Sequence, residues 1–372
     1  MYRSWVQVSR HHIAANFRAV KELVGAGVEV MPVVKADAYR HGAAEVSRIL
    51  VEQGARWLAV SNAEEGVALR EAGVGARILV MADYVSAERQ ALLEYNLTPV
   101  VHSLDEVHEL ERLAAQFSTR FRYHLKIDSG MGRLGTRAAA GEILDALNSA
   151  RRTELEGLMT HFASAANYEN PQTGEQTASF LALAGELRAA GVRPPYVHMA
   201  STTPIAYGRR ETWGTMVRPG HAIYGYVSAA RGEAPKQLLK VKPALSWKAA
   251  IIAVKDLPAG AHVGYGGMYK TARPARIAVL GVGYADGYPH RLSNKGKVIA
   301  AGRLAPVAGA VSMDVTTIDI TDLPPLQPGD AVTLLGSDGD ETLDAQQIAR
   351  AAGTISYSIL CGIHARVKRI YV

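Results

Sequence analysis

Residues 28–42 read VEVMPVVKADAYRHG: a mostly apolar run that ends at Lys35, followed by a short polar turn. A segment of helical period comes next, and the same rhythm recurs as far as Tyr226. Apolar runs at 28–34, 57–60, 78–81, 98–101, 122–127, 155–159, 196–199 and 215–218 predict strands. Stretches rich in Ala, Glu, Leu and Arg, such as 64–70 and 104–107, separate them and predict helices, with Ser103 placed to cap one. Strands that alternate with helices imply a parallel sheet. Eight such units in about two hundred residues imply an α/β fold of the (β/α)8, TIM-like barrel type. A doubly wound sheet is the fallback, and the lack of a G-x-G-x-x-G after the first strand counts against it.

Beyond Val241 the texture changes. Short apolar runs at 244–254, 275–282, 297–301, 305–310, 315–320, 331–335 and 365–371 are separated by turns such as Leu257-Pro258-Ala259-Gly260 and Gln327-Pro328-Gly329-Asp330. Short strands between Gly/Pro/Asp turns predict a mostly-β C-terminal domain. The expected organisation is an N-terminal strand in 1–9 that packs with that domain, a barrel over 10–232 and the β domain over 233–372, with 230–236 as linker.

At 372 residues the chain is long enough for two domains. Hydrophobic residues at 48% and charged residues at 20% exclude disordered and collagen-like classes. A net charge of +6 is small for this length, and no Lys/Arg run marks a nucleic-acid tail. The densest basic cluster, Arg366, Lys368 and Arg369, reads as one face of a strand. Cys361 is the only cysteine, which rules out an internal disulfide and favours a reducing compartment. No signal-like segment or membrane-length apolar run is present, so a soluble cytoplasmic protein is expected.

Barrel active sites gather at the C-terminal ends of the strands. The polar residues there are Lys35, Asp37 and Tyr39, then Lys126 and Asp128 with the loop Ser129-Gly130-Met131-Gly132-Arg133, then His161, His198, Ser201-Thr202-Thr203 and Arg218-Pro219-Gly220-His221. A strand-end lysine is ordinarily a solvated one. Desolvated among apolar walls, it becomes an amine nucleophile toward an aldehyde. Backbone N–H groups at a turn plus hydroxyls suit a phosphate, which Pro219-Gly220-His221 and Ser201-Thr202 supply. No HExxH or Cys/His spacing accompanies His161 and His198, so no metal is expected.

VVKADAYRHG, KIDSGMGRLG, THFA, VRPG-x-x-x-YG, VGYGG, GYADGYP, SMD and ISY follow in that order over more than three hundred residues. Together they resemble the conserved blocks of the alanine racemases, a fold-type III pyridoxal phosphate family. The resemblance implies pyridoxal 5'-phosphate held covalently on Lys35, which also serves as one acid/base. It implies that Tyr265 is the opposite-face base, donated by the neighbouring subunit of a homodimer, with His161 and Arg218 behind it. Arg218 is implied to face the pyridine nitrogen. Tyr39, Thr202, Gly220, His221 and Tyr357 fall on phosphate ligands. Arg133 and the Met313 backbone fall on the substrate carboxylate site, Lys126 on a carbamylated lysine, and Tyr284 and Tyr357 on the entrance. The implied reaction interconverts L- and D-alanine and supplies D-alanine for peptidoglycan.

The pattern departs from the family at four places. Arg40 stands where glycine is usual, Ser201-Thr202 where Asn-Ser is usual, Ala166-Asn167 where an entrance aspartate is common, and His290-Arg291 where an entrance arginine is common. An altered gate around an intact centre leaves open a racemase of broader specificity, serine included. A related decarboxylase is disfavoured by the VGYGG tyrosine and by the position of Cys361. A non-enzymatic pyridoxal phosphate-binding protein is disfavoured by the second domain.

Overall fold

The computed structural model describes residues 2–82 and 89–372, and the chain divides into two compact units. One comprises Ile13–Asp37 and Ala43–Lys242; the other comprises the chain up to His12, Ala38–Gly42 and Pro243–Val372.

In the first unit six parallel strands follow one another in sequence order: Trp57–Val60, Arg77–Val80, Thr98–Val101, Phe121–Lys126, Thr153–Met159 and Tyr196–His198. Glu29–Val30 pairs in parallel with Met216–Val217. The ring closes through a few backbone bonds on either side. Val34 N–H donates to Ala59 O at 2.8 Å, and Arg218 N–H donates to Ala200 O at 2.9 Å. All eight expected strand positions are therefore occupied, and the sheet curls into a barrel. The first and last strands are short because Pro32 and Pro219 lack the N–H a ladder needs. Trp57–Val60 and Thr98–Val101 are buried at every position, which is why they read as continuous apolar runs rather than alternating ones. Ser103 does cap its helix, accepting from Glu106 N–H at 3.2 Å.

The second unit is built on a nine-stranded sheet. Ser4–Val8 pairs antiparallel with Leu245–Leu257 and parallel with Lys368–Tyr371. Leu245–Leu257 also pairs with Ala275–Leu280 and Ala331–Asp338, and register shifts along it let one long strand serve several partners. Two helices interrupt the β pattern, Ala345–Ala352 and Ser356–Cys361. The first has a capping box at Asp344 and Gln347 and a left-handed Gly353 at its end, signals already present in the sequence.

Three details differ from the sequence reading. The stretch 230–236 is not a free connector: Arg231 N–H donates to Ala166 O at 2.8 Å and Tyr168 N–H to Arg231 O at 3.0 Å. Arg366, Lys368 and Arg369 do not form one strand face, since Arg366 precedes the strand and the other two are adjacent on it. Arg369 instead donates to the carbonyls of Arg40, Ile363, His364 and Val367 at 2.6–3.1 Å.

The third is the turn after Lys35. Ala36, Asp37, Ala38, Tyr39 and Arg40 all have φ between 52° and 65°, a run of left-handed backbone without a glycine. Each such residue costs roughly 1–2 kcal/mol. Local bonds hold the turn in place. Ala36 N–H donates to Glu65 Oε1 at 2.6 Å and Ala43 N–H to Asp37 Oδ1 at 2.7 Å. Downstream, Arg40 Nε donates to Cys361 O at 3.3 Å and Tyr371 OH to His41 O at 3.1 Å. These bonds tie Ala38–Gly42 into the second unit, although the sequence places those residues inside the barrel.

Candidate active site

Lys35 ends the first strand position of the barrel, and its charge acts on both Lys126 and His161. Lys126 is buried at the end of its strand. Desolvation, followed by the charges of Arg133 and Arg218, pulls its ammonium down from 10.5 to about 8. The nearest acid on the same segment, Asp128, is committed elsewhere. Its carboxylate accepts from the Gly130, Met131 and Gly132 N–H groups at 2.9–3.2 Å and from Arg137 Nε at 2.8 Å. Burial opposes its charge, but these bonds, Gly132 and Arg137 foremost, win and hold it near 2. The Asp128 turn shapes the loop that carries Arg133, and Arg133 has no hydrogen-bond or ion-pair partner among the described residues. The charges of Lys35, Arg133 and Arg218 all act on Lys126 at this barrel mouth, opposed by that of Asp128.

Arg218 is 2% exposed. Its NH1 donates to His198 Nδ1 at 2.8 Å and His198 O at 3.0 Å, and its NH2 to Thr160 O at 2.7 Å and Met199 O at 3.0 Å, with His161 Nδ1 at 3.3 Å. The remaining donor, Nε–H, has no acceptor among the described residues. Burial lowers the guanidinium to about 9, which still leaves it charged at neutral pH. His161, expected to pair with Arg218, does so. Burial and then the Arg218 charge push its imidazole down to about 3, so it is neutral. His198 is not a metal ligand in waiting, because one of its ring nitrogens is engaged by Arg218 and the other lies 2.8 Å from His124 Nδ1. No cluster that could hold a metal occurs among the described residues.

Thr202 is brought to the Gly220–Ala222 turn. Thr202 Oγ1 accepts from Gly220 N–H at 3.2 Å and Ala222 N–H at 3.1 Å. His221 opens a 3-10 turn and stacks on Tyr226 at 5.1 Å. Thr202 itself begins the short helix Thr202–Ala206, after Ser201. The departing residues Ala166-Asn167 are pinned by the Arg231 backbone.

The other named residues lie in the second unit. Tyr39 and Tyr357 face each other at 5.9 Å between ring centroids. Tyr265 is 77% exposed on a turn in which Gly264, Gly266 and Gly267 all have positive φ. Tyr284 and Met313 are brought together: Tyr284 N–H donates to Ser312 O at 2.9 Å and Ala285 N–H to Met313 O at 3.0 Å. A Cβ at Gly283 would lie 2.4 Å from Met313 O, so glycine permits the approach. Asp286, buried beneath, accepts from Gly283 N–H, Arg3 and Arg366 at 2.6–3.1 Å. The His290 and Tyr284 rings lie edge to face with centroids 6.3 Å apart.

Sequence reasoning missed Asp286, His124 and Glu156. Their signal was a charged or polar residue inside an apolar element, as in 121–126 and 153–159.

The alanine racemase N-terminal domain model matches residues 8–228 and the C-terminal domain model residues 244–371. The alanine racemase of Halothermothrix orenii is 40% identical over 373 aligned residues, covering 99% of this chain and 96% of its own length. The chain belongs to the alanine racemase family. Membership makes it an isomerase and accounts for the barrel followed by a mostly-β domain. Among solved relatives, the Bacillus anthracis alanine racemase with bound L-Ala-P superposes with a TM-score of 0.91 at 34% identity, covering 100% of this chain and 96% of that one. The Bartonella henselae alanine racemase with covalently bound pyridoxal phosphate gives 0.88 at 26% identity, with 100% of both chains covered. No helix among the described residues is long and apolar enough to cross a membrane.

Proposed function

We propose that the chain interconverts L- and D-alanine with pyridoxal 5'-phosphate anchored on Lys35, as a cytoplasmic homodimer that supplies D-alanine for peptidoglycan. The observation that carries the reading is the Arg218 Nε–H. It is a donor on a buried, permanently charged side chain whose other four N–H bonds are occupied, and a ring nitrogen acceptor would complete it. The Thr202, Gly220 and His221 cluster, with Tyr39 and Tyr357, would take the phosphate. When bound, the cofactor supplies an electron sink for the bond between Cα and its hydrogen.

The protein's own residues do the rest. Arg218 donates a hydrogen bond but no proton, so it keeps the sink weak and favours return of the proton to Cα over side reactions. Lys35 takes or gives that proton on one face, and the partner subunit's Tyr265 gives or takes it on the other. A phenol near 10 is a poor base at neutral pH. The His161–Arg218 pair would stand behind that phenol and orient it. Arg133 offers a fork for the substrate carboxylate, and the partner subunit's Met313 would add a backbone donor. A carbamate on Lys126 would relieve the cation excess and orient Arg133. An amine held near 8 has a neutral fraction able to accept carbon dioxide.

Purified protein given the cofactor should be yellow and racemise L-alanine. Lys35→Ala should lose both properties, whereas Tyr265→Phe should keep the colour and lose turnover by about 100-fold or more. A protein that stays colourless after adding the cofactor would refute the assignment. The altered gate at Ala166, Asn167, His290 and Arg291 supports a second reading, turnover of larger amino acids such as serine. Assay across a panel tests it, and turnover confined to alanine sinks it.

A further inference from the structure

A buried chain of polar groups runs from Arg218 through the barrel interior to a carboxylate. Arg218 NH1 donates to His198 Nδ1 at 2.8 Å, and His198 Nε2 lies 2.8 Å from His124 Nδ1. His124 Nε2 lies 3.8 Å from Glu156 Oε2 and has no hydrogen-bond partner at shorter range. Glu156 accepts both NH groups of Arg77 at 2.6 and 2.7 Å, and Arg77 stacks over Trp57 at 3.9 Å. His124 and His198 are wholly buried and Glu156 is 5% exposed.

The chemistry of the two ends fixes the protons in between. A guanidinium offers only donors, so His198 Nδ1 must be bare and its proton must sit on Nε2. That proton can go only to a bare His124 Nδ1, which puts the His124 proton on Nε2 as well, on the side of Glu156. A carboxylate offers only acceptors and so closes the chain with the right polarity. Burial keeps both imidazoles neutral, while the Arg77 partnership helps keep Glu156 charged.

The backbone is shaped around this line. Tyr123 pairs with Leu155 and His124 with Gly157, which leaves Glu156 as the extra residue of a bulge, a device that re-aims a side chain. At Gly157 an added Cβ would lie 2.4 Å from the His124 ring, so the glycine makes room for the imidazole. The same ring lies against Trp57 at 5.4 Å and Tyr196 at 5.9 Å.

We propose that His124 and Glu156 are positioning residues for the ring-nitrogen arginine: they lock His198 in the tautomer that accepts from Arg218, and so aim the Arg218 Nε–H. The proposal rests on the cofactor reading above for its consequence in catalysis, but its proton arrangement does not depend on it. 15N-histidine NMR of the cofactor-loaded enzyme reads that arrangement directly, and the same spectrum can be taken without cofactor. His124 and His198 should both be neutral with the proton on Nε2. A proton on His198 Nδ1, or a charged His124, would overturn the proposal.

Variants add a second arm. In His124→Asn the side-chain oxygen can stand in for Nδ1 as acceptor, and kcat should stay within about twofold. His124→Leu leaves the His198 N–H without an acceptor. It should loosen the bond from Arg218 to His198 Nδ1, read as a change in the His198 Nδ1 15N shift, move the absorption band of the bound cofactor, and lower kcat on the order of tenfold with little change in KM. Equal losses in both variants, with the His198 Nδ1 shift unchanged, would mean a purely structural role and overturn it. Failure to bind the cofactor at all would sink the function proposed above while leaving the NMR result to decide this one.

Discussion

Lys126 and Gly157 carry the two sharpest consequences at the scale of single residues. Lys126 has a folded-state pKa below its ordinary value, so the folded chain binds fewer protons than the unfolded one between about 8 and 10.5. Its contribution to stability therefore rises with pH across that window and levels off at its lowest value below about 8. In carbon dioxide-free buffer, denaturant unfolding should show that rise, and Lys126→Met should flatten it; an unchanged slope in the variant would contradict the assignment. At Gly157, substitution by Ala places a methyl group into the His124 ring. We expect a loss of about 1–3 kcal/mol, read as a lowered Tm, because the imidazole is packed on all sides. An unchanged Tm would show that His124 can move aside.

At the scale of elements, the barrel was legible because its strands are largely buried and two of its helices open on side-chain caps, at Asn62 and Ser103. The approach of Thr202 to Gly220 was legible too, since the two lie at adjacent strand ends. The left-handed turn at Ala36–Arg40 was not. Nothing in ADAYR announces positive φ, and the conformation is imposed by partners distant in sequence, including Cys361, Arg369 and Tyr371. The bulge at Glu156 was hidden for a similar reason, because pairing register is a property of two strands and not of one. The turn gives a direct test at Arg40, whose φ of 65° suits glycine and excludes proline. Arg40→Gly should change stability by no more than about 1 kcal/mol, with the lost bond to Cys361 offset by relief of strain. Arg40→Pro should cost about 3 kcal/mol or more, measured by denaturant titration. A tolerated proline would mean that the turn is not left-handed in solution.

For the whole molecule, the residues of the proposed centre fall into two sets. Lys35, Lys126, Arg133, His161, Thr202 and Arg218 belong to the barrel unit; Tyr265, Tyr284 and Met313 belong to the other, where Tyr265 and Met313 are 77% and 54% exposed. Large side chains left in solvent on a glycine-rich turn make sense when a second copy covers them, and a two-fold dimer would make two equivalent shared sites. The most direct measurement mixes Lys35→Ala with Tyr265→Phe after each has been shown to be inactive and dimeric. Subunit exchange should create hybrids with one doubly altered site and one intact site, and alanine racemisation should return to about a quarter of the unaltered level. No recovery after demonstrated exchange, or full activity of Tyr265→Phe alone, would contradict a two-base centre shared between subunits.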